Sequence, residues 1–275
     1  MSKGKYILAN GTFLPAEEYR ITLQEMDAFL FSEKIRAIRT NFPFFAETLE
    51  ILKLKLQLFN HSFPELTDKS GAGLKRQLER TLTKNKLFLG AVFTISFRFL
   101  NDTVQYIIES EKIDPADFEL NDKGLFVEVF DLIKKPTSPI SHLSLGSEIY
   151  WKIALNQLRN ASIDQLFLLN TDGQIIEAVA SNLYLINGRQ VRGASCEHGA
   201  FLDISQPYLL EVFNKLNLQY SENVPITMQD VRLAEEIMVV NAVEGIRWIV
   251  GFEGKRFFNQ TIRKINEFFS KSLPS

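Results

Sequence analysis

The chain has 275 residues, 45% of them hydrophobic and 23% charged, with 31 basic against 33 acidic side chains and a formal net charge of −2. That length suits two cores, and the composition excludes a disordered or fibrous chain. Near-zero charge without a basic stripe interleaved with aromatics excludes nucleic acid as a partner, and the single cysteine, Cys196, excludes an intrachain disulfide. His61, His142 and His198 lack ligand spacing, so no metal site is expected. No run approaches the roughly 18 apolar residues of a membrane helix, and a cytoplasmic protein is expected. The 23 phenylalanines are scattered, as well-filled cores and a dimer interface would require.

In chain order, Tyr6 to Leu8, then Asn10-Gly11, then Thr12-Phe13 read as a hairpin, because Asn-Gly takes the positive φ values of a type I′ turn. Leu49, Leu52, Leu56 and Phe59 share one face at helical period, and a second amphipathic helix runs from about Gly73 to Lys86, its Lys and Arg residues forming a solvated face. From Ala91 to Phe99 the chain alternates, with Phe93, Ile95, Phe97 and Phe99 on one side, and Val104 to Glu109 repeats the pattern. These elements predict an α+β domain over 1–115. Lys112 to Lys123 is polar, carries Pro115 and has neither period, which puts a linker at 116–123. An α/β domain over 124–275 follows. It reads as a strand from Leu125 to Phe130, a helix from about Ser147 to Leu158, and strands at Gln165–Leu169, Gln174–Glu177 and Leu183–Ile186. Helices start near Pro207 and after Thr227, where Thr227 and Asp230 resemble a capping box. A strand at Ile237–Val240 and a terminal helix carrying Ile262, Ile265, Phe268 and Phe269 complete the domain.

Several motifs go beyond periodicity. Asp164 to Tyr184 runs strand, Asp172-Gly173 turn, Glu177, then Ser181-Asn182-Leu183-Tyr184. Farther on come Ala234-Glu235-Glu236-Ile237-Met238 and Asn241-Ala242; earlier stand Ile35-Arg36, Pro43-Phe44-Phe45 and Leu49-Glu50 with Leu52. This set resembles the class IV aminotransferase and aminodeoxychorismate lyase family over nearly the whole chain. The resemblance implies the two-domain, fold-type IV architecture of enzymes like D-amino-acid aminotransferase, with pyridoxal phosphate as the family cofactor. It implies that Glu177 pairs with the pyridinium nitrogen, keeping the ring an electron sink. It also implies cofactor-binding roles for Ser181, Asn182, Ser205, Asn241 and Ala242, a homodimer, and an interdomain cleft able to hold a small molecule.

The pattern breaks in two places. Where the family has its imine-forming lysine, counting back from Asp164 and Glu177 gives Ser144, within Ser141-His142-Leu143-Ser144-Leu145-Gly146-Ser147. A hydroxyl cannot form an imine, so no catalytic residue is intact at that position. Where the resemblance implies a phosphate-gripping arginine stands Ile51. A further phosphate-loop pattern, glycine to arginine, finds only Gly199-Ala-Phe-Leu202 or Asp203-Ile-Ser205-Gln206, and neither has arginine. The expected protein is therefore a degenerate homologue, with pyridoxal phosphate absent or held weakly and without a covalent bond. The alternatives are an active transaminase or lyase using a relocated lysine, for which Lys134, Lys135 and Lys152 lie nearest, or a cofactor bound without a Schiff base, and a purely structural subunit. Glu177 is expected in the cleft with no pyridinium opposite it.

Overall fold

The computed structural model describes residues 3–114, 117–158 and 163–273. Pro115 and Ala116, where the expected domain boundary falls, lie outside the described residues. The chain divides into two compact units, Met1–Asp117 and Phe118–Leu273.

The first unit contains β1 (Tyr6–Ala9), β2 (Thr12–Pro15), α1 (Leu23–Asp27), β3 (Phe29–Ile38), α2 (Phe45–Leu58), α3 (Pro64–Thr67), α4 (Ala72–Asn85), β4 (Gly90–Leu100) and β5 (Thr103–Lys112). Its strands form an antiparallel sheet in the order β2-β1-β5-β4-β3. Asn10 and Gly11 turn β1 into β2 with φ of 47° and 82°, the values a type I′ turn needs. The predicted alternation of β4 holds where it matters: Phe93, Ile95 and Phe97 are buried, and Leu52, Leu56, Leu74 and Leu78 are buried on the helices. β3 goes beyond the sequence reading, because its Glu33, Lys34 and Arg36 interrupt the apolar pattern. Glu33 instead pairs at 2.5 Å with Lys55, which is buried on α2, and Arg36 donates to the Asp117 carbonyl at 2.8 Å.

The second unit contains β6 (Leu125–Lys135), α5 (Ser144–Leu158), β7 (Gln165–Asn170), β8 (Ile175–Ala178), β9 (Asn182–Asn187), β10 (Gln190–Gly193) and a 3-10 turn, Cys196–His198. It continues through α6 (Gln206–Lys215), β11 (Gln219–Ser221), α7 (Met228–Leu233), β12 (Glu236–Asn241), β13 (Gly245–Phe252), β14 (Lys255–Arg256) and α8 (Gln260–Ser272). Its strands form a mixed sheet in the order β11-β10-β9-β12-β13-β6-β7-β8, with β14 on β13. β10, β11, β13 and β14 also go beyond the sequence reading. The Thr227–Asp230 capping box is present at the start of α7. Phe268 departs from expectation, since it is exposed while Ile262, Ile265 and Phe269 form the buried face of α8.

β6 and β7 are parallel, so the chain must cross over between them, and α5 is that crossover. Its first turn therefore begins beyond the carboxyl end of β6, the place where open α/β sheets gather functional groups. Gly146 makes this approach possible, because a Cβ there would meet the Ile140 carbonyl oxygen at 2.4 Å. No helix among the described residues is long and apolar enough to cross a membrane.

Candidate functional site

The site assembles around Glu177 on β8, whose side chain is 0% exposed. Its Oε1 accepts from the Trp151 indole at 2.8 Å. Its Oε2 accepts from the Lys135 ammonium at 2.9 Å and from the Phe201 backbone amide at 2.7 Å. The cation facing this carboxylate was not singled out by the sequence: it is Lys135, at the end of β6, itself only 1% exposed.

Lys135 reaches the interior through an irregularity in the β6–β7 ladder. Phe130 pairs with Leu168, but the next pairing, Lys135 with Asn170, comes five residues later on β6 and two later on β7. The extra residues bulge outward, leaving Leu132 at 70% and Ile133 at 39% exposure, and the strand re-enters the ladder with Lys135 pointing in. An ammonium has three protons to place. They go to Glu177 at 2.9 Å, the Ser147 hydroxyl at 2.5 Å and the Ser141 carbonyl at 3.1 Å. Burial pushes the Lys135 pKa down, and the charge and hydrogen bond of Glu177 oppose that shift. The other lysines expected near the site are outside it: Lys134 is exposed, and Lys152 is exposed and pairs with Glu148 at 3.4 Å.

Ser144 opens α5, one turn before Ser147 and on the same side as Ser147, Trp151 and Ala154. Trp151 packs edge-on against Phe201, ring centroids 5.0 Å apart at 84°. Asn182 holds the segment that supplies the Phe201 amide, donating to the Phe201 carbonyl at 2.5 Å and accepting from the Asp203 amide at 2.9 Å. Before it, Ala180 turns β8 into β9 at φ 55°, a left-handed conformation that costs a non-glycine residue. Ser181 accepts from the Asn241 amide group at 2.9 Å. The Asn241 oxygen takes the amides of Val243 and Glu244, at 2.9 and 2.7 Å, closing the turn that contains buried Ala242. Ser205 is the buried residue before α6, and both its amide, at 2.8 Å, and its hydroxyl donate to the Asp203 carboxylate. The anion at this helix start is thus supplied by the chain itself. These residues all belong to the second unit, whereas Ile51 is a half-buried residue of α2 in the first.

Chemically, a buried lysine against a serine hydroxyl invites comparison with a serine–lysine nucleophile pair. Ser147 is fully buried, so the pair lacks a route for substrate. The Cys196 thiol is no better a nucleophile, since burial pushes its pKa up, with Lys135 opposing.

Tyr184 on β9 and Tyr220 on β11 lie with ring centroids 6.2 Å apart. Burial raises the pKa of both phenols, assisted for Tyr184 by the negative charges of Asp203 and Glu222 and for Tyr220 by its 2.6 Å hydrogen bond to Glu222. A raised folded-state pKa contributes stability that is complete below the unfolded tyrosine value of about 10 and is lost as pH rises above it. In an alkaline titration followed by phenolate ultraviolet absorbance, these two phenols are expected to stay un-ionised until the protein unfolds. Reversible ionisation of all seven tyrosines near pH ~10 would contradict that placement.

The family described as "Amino-transferase class IV" matches residues 42–251. No curated protein sequence matches the chain. Among solved structures, the branched-chain aminotransferase of Thermoproteus uzoniensis with norvaline aligns at TM-score 0.81 and 16% identity, covering 98% of this chain and 94% of that one. The branched-chain amino acid aminotransferase of Thermobaculum terrenum in its PLP form gives 0.81 and 15%, covering 98% and 94%. That of Escherichia coli gives 0.81 and 14%, covering 96% and 92%. At such identities the structures establish the two-sheet fold-type IV architecture, and the family match over most of the length establishes membership: this chain belongs to the class IV aminotransferases, a pyridoxal-phosphate-dependent family.

Proposed function

We propose that this chain is a degenerate class IV aminotransferase that holds no covalent pyridoxal phosphate and turns over neither transaminase nor lyase substrates. The observation that carries the reading is the state of Glu177. The carboxylate that the family resemblance assigns to the pyridinium nitrogen already receives Lys135, Trp151 and the Phe201 amide in a buried cluster. The remaining groups expected to hold the cofactor are likewise turned inward. Ser144 replaces the imine-forming lysine, the Val243 and Glu244 amides are taken by Asn241, and the Asp203 carboxylate would repel a phosphate brought to the start of α6. The residues present do not fit the cofactor.

The second reading, a relocated catalytic lysine, draws support from Lys135, a buried amine with a lowered pKa. It fails on position. In pyridoxal phosphate the aldehyde-bearing carbon is para to the ring nitrogen, so a ring with its nitrogen at Glu177 carries its aldehyde away from Glu177. Lys135 sits within hydrogen-bond distance of Glu177 itself.

The reading keeps the protein a cytoplasmic homodimer, with exposed Ile21, Leu23, Met26 and Phe29 offering apolar surface to bury. Purified protein given pyridoxal phosphate with branched-chain, D-amino-acid and aminodeoxychorismate substrates is expected to show no turnover above a cofactor-only control. Saturable turnover with any of them would end this reading.

A further inference from the structure

We infer that Glu177, Ser147 and the Ser141 carbonyl form a built binding site for a primary ammonium ion, and that the Lys135 side chain is its resident, intramolecular ligand. This rests on the reading of the site as cofactor-free and says what occupies it instead. Three observations carry it.

The acceptors come from three separate pieces of the unit, β8, the first turn of α5 and the 136–143 connection, yet converge on one nitrogen at 2.5 to 3.1 Å. They match the three protons of an ammonium one for one. Next, the carboxylate is held in position without the lysine, by Trp151 and the Phe201 amide, the latter set by Asn182. Lastly, the backbone departs from a regular ladder to deliver the group, exposing Leu132 and Ile133 while burying Lys135. Apolar burial alone would favour the opposite arrangement.

A site formed independently of its ligand accepts that ligand when it is supplied free. Lys135→Ala removes all of the side chain beyond Cβ, which corresponds in shape and charge to n-propylammonium. The variant is expected to melt on the order of 10 °C below wild type, because a buried carboxylate loses its counter-charge. Millimolar n-propylammonium chloride should recover at least half of that loss in a saturable manner. n-Propanol should recover none, and neither compound should help Lys135→Ala/Glu177→Gln. Equal rescue by the alcohol, rescue that survives Glu177→Gln, or no rescue of a folded variant would overturn the assignment. Should Lys135→Ala not fold, wild-type protein decides the matter by reductive methylation with peptide mapping. Lys135 is expected to stay unmodified under native conditions while its neighbour Lys134 reacts, and comparable labelling of the two would overturn the assignment. Turnover supported by another lysine with Lys135 still protected would end the cofactor-free reading and leave this occupancy standing. Labelling of Lys135 without turnover would do the reverse.

Discussion

Lys135→Met is expected to destabilise the protein by about 3 to 5 kcal/mol, Glu177→Gln by a similar amount, and the double substitution by far less than their sum. The single changes are costly for the same reason from opposite sides. Each leaves an ion buried without its partner: a carboxylate with only the indole and one amide, or an ammonium with only a serine, a carbonyl and a neutral amide oxygen. In the double variant no buried charge remains, the methionine fills the lysine's path, and the side-chain oxygen of the introduced glutamine can still accept from Trp151 or Phe201. Urea melts of the four proteins give the coupling directly, expected at roughly 2 kcal/mol or more for groups in contact. Additive losses would mean that the two side chains do not depend on one another, and the account of the site would fail with them.

The second large effect concerns the cofactor. Ser144→Lys supplies an amine at the family's lysine position but leaves Glu177 held by Lys135, so it is expected to take up no stoichiometric pyridoxal phosphate. Ser144→Lys with Ile51→Arg should fare little better, since the arginine does nothing to release Glu177. Ser144→Lys/Lys135→Ala is the variant expected to take up the most cofactor, short of one equivalent because Asp203 still opposes the phosphate, with a borohydride-reducible absorbance and modification at position 144 in the peptide map. Uptake by Ser144→Lys alone would show that Lys135 is easily displaced. It would also remove the reason for treating the occupied carboxylate as the obstacle.

Much of the fold is written in local patterns that burial respects. The Asn10-Gly11 turn, the alternating phenylalanines of β4 and the Thr227–Asp230 box follow from backbone sterics, sheet pleat and capping, each of which acts over a few residues. β3 and the end of β6 escape such a reading because long-range pairing overrides hydropathy there. Arg36, Lys55 and Lys135 are buried, each with a partner distant in sequence, at Asp117, Glu33 and Glu177 respectively. The strand-like run of β13 is hidden differently, since the Asn241-Ala242 motif draws that stretch into a loop reading that in fact ends at Gly245.

The candidate site divides in the same way. Ser144, Glu177, Ser181, Asn182 and Asn241 can be found because they stand at fixed spacing in a recognisable pattern, and all of them fall in the second unit. Lys135 is one of three nearby lysines with nothing local to single it out. Two apolar residues, Leu132 and Ile133, precede a lysine pair and a proline, which reads as a strand running out into solvent. The signal that distinguishes Lys135 from Lys134 is the shift in the β6–β7 register, and a register is a property of two strands rather than of one.

Titration of the wild-type protein with pyridoxal phosphate, followed by borohydride reduction and mass analysis, tests the central claim most directly. The account predicts only the spectrum of free cofactor and the weak, unsaturating label of exposed surface amines, with no modification inside the second unit's buried cluster. A saturable band at one equivalent per chain, fixed by borohydride to Lys135 or to any other single lysine, would contradict it.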